Sequence, residues 1–71
     1  KMNRNIKELL YEIEEKKKEL HSLKEQLLTI RWLQAIEQAT MVYDRETKNI
    51  RLAIIKVEEE IKELERQLQG N

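Results

Sequence analysis

Cysteine, proline and phenylalanine are missing from this chain, and its one glycine stands at position 70. Without cysteine there is no disulfide framework, and the reducing setting that this fits is the cytoplasm. His21 is the lone histidine, so a zinc site would need carboxylates plus a single imidazole, a poor ligand set. One terminal glycine cannot build a phosphate-cradling loop. Long apolar runs are missing too. No stretch reaches the length of a transmembrane helix, and the N-terminus lacks the apolar core of a secretory signal, so no membrane partner is expected. Lys1 precedes Met2, and Met2 is read as the natural start, which makes a whole small protein the expectation.

A surplus of one charge is also absent. Fourteen Lys and Arg balance fourteen Asp and Glu, and residues 1–37 carry eight positive and seven negative side chains. That local balance disfavours nucleic acid or an anionic surface as the main partner. What remains is a 71-residue chain that is 39% charged and 39% apolar. This composition belongs to helical, coiled-coil-like sequences, and a chain this short leaves much of its surface exposed unless something completes it.

The apolar residues are periodic. Ile6, Leu9, Ile13, Leu20, Leu23, Leu27 and Ile30 alternate steps of three and four, with Lys16 breaking the series. Such a stripe is a seam for another helix. Asn5 is placed to cap its start, with Glu8 at the capping-box spacing. A second series runs through Leu33, Ile36, Thr40, Tyr43, Thr47, Ile50, Ile54, Val57, Ile61, Leu64 and Leu68. It is out of phase with the first, because Ile30 to Leu33 is a step of three where four was due, as in a coiled-coil stammer or before a chain break. Gly70 supplies a helix stop.

Between these series the stretch Tyr43 to Asn49 gathers Asp44, Thr47 and Asn49, residue types whose side chains bond nearby backbone. A turn near residues 44–49 is the reading this favours, with Asp44 capping the next helix. Thr40, Val42, Ile50, Ile54 and Ile55 are β-branched, and Ile50, Leu52 and Ile54 alternate with polar or small residues, so a short β-hairpin tip is an alternative. An uninterrupted helical rod is the third. The expected fold is therefore all-α: one coiled-coil domain spanning residues 1–71, an antiparallel helical hairpin with a helix over about 6–42, a turn or β-hairpin tip near 44–49, and a helix over about 50–69.

Unequal arms would leave Ile6, Leu9, Ile13 and Leu20 without an intramolecular partner. An apolar seam of that length favours self-association, with a dimer first, into an oligomeric helix bundle. The expected self-association seam is Ile6, Leu9, Ile13, Leu20, Leu23, Leu27, Ile54, Val57, Ile61 and Leu64. From Gln26 to Tyr43 only Arg31 and Glu37 are charged, and Leu28 and Trp32 lie off the stripe of Leu27 and Ile30. One helix partner cannot cover both faces, and Trp, Tyr and Arg are types enriched at binding hot spots. Arg31, Trp32, Ile36, Met41 and Tyr43 are thus a candidate surface for a protein partner, although Trp32 fits the core of a homo-oligomer equally well.

Catalytic chemistry finds no purchase. His21 and Ser22 are adjacent and point about 100° apart on a helix, which does not make a nucleophile and its base. Glu58, Glu59, Glu60 and Glu63 have the pattern of a solvated helix face rather than a cation site. The Lys16, Lys17, Lys18 run is offset by Glu14, Glu15 and Glu19, while Lys16 itself is a polar seam residue of the kind that fixes register. No catalytic, metal or cofactor-binding residue is assigned and no cofactor is implied. The function expected is a non-enzymatic coiled-coil self-assembly and protein-interaction module, an adaptor, inhibitor or scaffold. The alternative is a small dimeric nucleic-acid-binding regulator using Arg45, Lys48 and Arg51.

Overall fold

A computed structural model of the chain describes residues 5–37 and 43–70. Two α-helices account for nearly all of them: α1, Ile6–Glu37, of 32 residues, and α2, Asp44–Gly70, of 27 residues. They pack side by side as a helical hairpin, and no strand occurs among the described residues. The hairpin is elongated at 52 × 16 × 13 Å. Its radius of gyration is 16.2 Å, against about 11 Å for a compact globule of this length. A rod of two helices has one line of contact, so few side chains can be fully buried.

Local chemistry sets both helix starts. The Asn5 side-chain oxygen accepts from the Lys7 N–H at 2.7 Å, and the Asn5 carbonyl accepts from the Leu9 N–H at 3.0 Å. Asn5 is thus the N-cap foreseen from the sequence, satisfying a donor that the first helical turn leaves over. Glu8 makes no return bond to Asn5 among the described residues, so only half of the capping box forms. At α2 the Tyr43 carbonyl accepts from the Thr47 N–H at 2.9 Å. Asp44 and Glu46 occupy the first turn, where carboxylates offset the positive end of the helix dipole.

That start corrects the sequence reading. Residues 44–49 are helical, neither a turn nor the tip of a β-hairpin, and Asp44 stands inside the helix instead of before it. Asp, Thr and Asn suit turns because their side chains bond nearby backbone, but the same property and the acidic charge suit a helix N-terminus. Continuing the helix also keeps Thr47 and Ile50 on the side of α2 that carries Ile54 and Val57. Of the span 6–42 expected for the first helix, 6–37 is helical. Residues 38–42, including Thr40, Met41 and Val42, lie outside the described residues.

The correction changes the packing. At 1.5 Å per residue the arms are about 48 Å and about 40 Å long, far closer to equal than anticipated. Leu9 and Ile13, expected to lack an intramolecular partner, are instead buried, Leu9 at 0% exposure, in a cluster with Leu64 against which Leu68 also packs. Val57 and Ile61 are buried as well. Each such side chain stabilises the pair by about 1.5–3 kcal/mol through area removed from water. All of these residues belong to the half of the hairpin that holds the chain ends, called here the open half.

Lys16 fixes the register of that half. Its Nζ donates to Glu60 Oε1 across the seam at 2.8 Å and lies 4.0 Å from Glu19. The hydrogen bond to Glu60 raises the Lys16 pKa above its ordinary value, and the same bond holds the Glu60 carboxyl below its own. A polar residue in an apolar seam costs stability wherever its partner is out of place, so sliding one helix along the other is penalised.

Candidate functional site

Toward the connection between the helices the character of the hairpin changes. None of the described residues in this loop half is fully buried, and Leu20, Leu23, Leu27, Ile30, Ile50 and Ile54 follow the seam only half-buried. Large apolar side chains stand outside it. Leu28, Trp32 and Ile36 recur every four residues along one outward stripe of α1, with Leu28 60% and Trp32 64% exposed. Leu52 and Ile55 are exposed on α2.

For Trp32 and Ile36 the cause is the change of phase after Ile30. Continuing the first series by four from Ile30 reaches Gln34, which is half-buried, while Trp32 and Ile36 fall on the far side of the helix. The offset therefore carries apolar residues out of the seam and onto the surface. Two dipeptides do the same more locally. Leu27-Leu28 and Ile54-Ile55 each set one residue on the seam and its neighbour beside it.

These pairs face one another across the hairpin and floor an apolar groove of about 550 Å³ lined by Lys24, Leu27, Leu28, Arg51, Ile54 and Ile55. A smaller depression of about 440 Å³ lies toward the chain ends, past Lys17, Leu20, Glu58, Ile61 and Lys62. Two long ion pairs span it, Lys24 to Glu58 and Lys17 to Glu65, both at 4.0 Å. The other side of the open half holds a polar depression of about 230 Å³ around Lys16, with Glu12, Glu60 and Glu63. The two sides of the hairpin thus differ in chemistry.

The residues singled out from the sequence can now be placed. Of the expected self-association seam, Leu9, Ile13, Val57, Ile61 and Leu64 are buried between α1 and α2, Leu20, Leu23, Leu27 and Ile54 are half-buried, and Ile6 is exposed. Of the candidate partner surface, Arg31, Trp32 and Ile36 are exposed together on α1. Tyr43 is half-buried, and its hydroxyl donates to Glu37 Oε1 at 3.1 Å, a bond that raises its pKa. Met41 lies outside the described residues. The sequence reading left Lys24, Arg51, Leu52 and Ile55 off its surface, although the doubled apolar dipeptides were a usable sign of the groove.

The polar residues weighed for chemistry sit apart. His21 is exposed and 3.7 Å from Glu25, while the Ser22 hydroxyl accepts from Gln26 Nε2 at 3.5 Å, so the two point to different neighbours. Among the acidic run, Glu58 meets Lys24, Glu60 meets Lys16, and Glu63 meets Arg66 and Gln67. No group of three His, Cys, Asp or Glu positioned to hold a metal ion occurs among the described residues. Lys17 and Lys18 face Glu65 and Glu15. Arg45, Lys48 and Arg51 are exposed on α2, where steps of three turn them progressively over about 120° of its surface rather than along one line. Among the described residues no helix is long and apolar enough to cross a membrane.

No family model matches the chain, and neither a curated protein nor a solved structure matches it.

Proposed function

We propose that this chain is a non-enzymatic protein-interaction module: a helical hairpin whose open half holds the fold and whose loop half docks a helical partner. One observation carries the reading. Leu28 and Ile55 are exposed beside an apolar groove in the half where the seam itself is only half-buried, and Trp32, Ile36 and Leu52 are exposed on other faces of the same half. Scattered exposed apolar residues are ordinary on a protein surface, but an apolar groove rimmed by charge is a mark of an interaction site.

Self-association enters this reading in a changed form. Leu9, Ile13, Val57, Ile61 and Leu64 are buried within the hairpin, so a second copy would have to use exposed apolar residues instead, those of the loop half or Ile6, Leu10 and Tyr11. The loop-half surface suits an adaptor, inhibitor or scaffold, each of which works by occupying or presenting a helix face. Side-chain chemistry plays no part beyond packing and charge.

Replacing Leu28 and Ile55 together by Glu tests the proposal. Both are largely exposed, so the circular dichroism spectrum and the melting temperature are expected to hold. Loss of helix docking, measured as mass by light scattering or as anisotropy of a labelled helical peptide, is the expected result. A double variant that docks helices as the parent does would remove the loop half from any binding role.

A further inference from the structure

The groove's charge narrows its occupant. Its floor is aliphatic, its rims carry Lys24 on α1 and Arg51 on α2, and Arg31 stands one heptad beyond Lys24 on the same side of α1. Lys17, Lys24 and Arg31 are spaced by seven residues, so they run as one row along the same side of α1. Lys17 and Lys24 each reach a carboxylate of α2, though only at 4.0 Å. Arg31 and Arg51 have no ion pair among the described residues. The loop end of an apolar groove is thus flanked by two cations whose charge is not locally offset.

We propose that the groove seats an amphipathic helix of another protein whose apolar stripe is flanked by carboxylates spaced by a heptad. This deepens the docking reading above and rests on it. Seven residues of helix span about 10.5 Å, so acidic groups one heptad apart on the incoming helix would meet Lys24 and Arg31 in turn, with Arg51 reached from its other flank. Carboxylates there would give the two arginines the partners they lack, and Arg engages a carboxylate with two parallel donors.

The same charges disfavour a second copy. The pairs Lys17 with Glu65 and Lys24 with Glu58 show the register of the hairpin: seven residues forward on α1 correspond to seven back on α2. The next step sets Arg31 level with Arg51. A two-fold axis along the helices would lay α1 over the α2 of its copy, setting Lys17 and Lys24 against carboxylates of the copy but Arg31 against Arg51, so the two arginines would still lack partners. A two-fold axis across the helices would lay the row Lys17, Lys24 and Arg31 against itself. Like charges facing each other suppress the crosswise arrangement, and neither arrangement offers Arg31 and Arg51 the carboxylates that an acidic helix would.

The test uses the full chain and two tryptophan-free synthetic helical peptides with one leucine heptad seam, flanked in one by glutamate and in the other by lysine. Binding is read from the anisotropy of a fluorophore carried by each peptide, and occupancy of the groove from its loss in the variant with Leu28 and Ile55 replaced by Glu. The glutamate peptide is expected to bind with an affinity that falls with added salt, and the lysine peptide to bind at least about tenfold more weakly. The double variant R31E/R51E, altered only at exposed positions, should reverse that preference while keeping its helix content. Equal binding of the two peptides, or an unreversed preference, would overturn the acidic partner. A concentration-dependent dimer that Leu28→Glu with Ile55→Glu breaks would also overturn it, seating a second copy in the groove and leaving the docking reading intact. A monomer that binds neither peptide would overturn both.

Discussion

The open half and the loop half are built from the same two helices and differ in where their apolar side chains go. In the open half Leu9, Ile13, Val57, Ile61 and Leu64 point inward and are buried, and the inter-helix bond from Lys16 to Glu60 locks the register. In the loop half the apolar content spills past the seam, leaving Leu28 and Trp32 on the surface and Leu27 and Ile54 only half-covered. Apolar composition alone therefore does not report where a hairpin is held together. The phase of the apolar residues does: residues in phase with the seam stabilise the fold, and residues out of phase are left on the surface.

The largest effect expected from this contrast is in the open half. Leu9→Ala should cost about 2–5 kcal/mol, since it empties the most buried site of a small core, and chemical denaturation would record it. Leu28→Ala, with the same chemistry removed in the loop half, should stay within about 0.5 kcal/mol. Equal losses at the two positions would break the distinction between the halves.

A smaller effect of opposite sign is expected near the connection. Thr47 is half-buried at the loop end of the seam, and its hydroxyl is the one buried side-chain polar atom without a hydrogen-bond partner among the described residues. Thr29, by contrast, returns its hydroxyl to the Glu25 carbonyl at 3.0 Å. Thr47→Val removes an unmet hydroxyl at nearly constant shape and should raise stability by about 1 kcal/mol, read from the denaturation midpoint.

The pair that fixes register predicts a pH dependence. Glu60 titrates below its ordinary 4.5 in the folded chain because Lys16 donates to it. Its contribution is fully present above that value and is lost as pH falls through the depressed one. Lys16 is raised above 10.5, so its contribution is present below that value and is lost as pH rises through the raised one. Glu60→Gln should lower the melting temperature modestly at neutral pH and flatten the part of its acid dependence that Glu60 supplies. An unchanged acid limb would show that the pair does not lock the helices.

Much of the fold was legible beforehand, because periodicity and capping are local. The two apolar series, the cap at Asn5 and the seam position of Lys16 follow from spacing alone. The start of α2 was misread because Asp44, Thr47 and Asn49 serve a turn and a helical first turn equally well. That error lengthened one arm and shortened the other, and so created the apparent need of Leu9 and Ile13 for a second subunit. At the candidate site, Arg31, Trp32 and Ile36 could be found on one helix by their phase. Arg51 and Ile55 could not be joined to them, because a groove between helices depends on which residues stand level across the seam, and the register is set by inter-helix pairs that no single stretch of sequence displays.

The measurement that bears most directly on the contrast is amide hydrogen exchange, resolved by residue, on the free chain at low concentration and again with the glutamate-flanked peptide bound. Slow exchange is expected from Leu9 to Lys16 and from Val57 to Leu64 in the free chain. Faster exchange is expected from Leu27 to Leu33 and from Ile50 to Ile55, with protection gained there on binding. Loop-half amides as protected in the free chain as those of the open half, and unmoved by the peptide, would contradict the division of the hairpin into a half that folds and a half that docks.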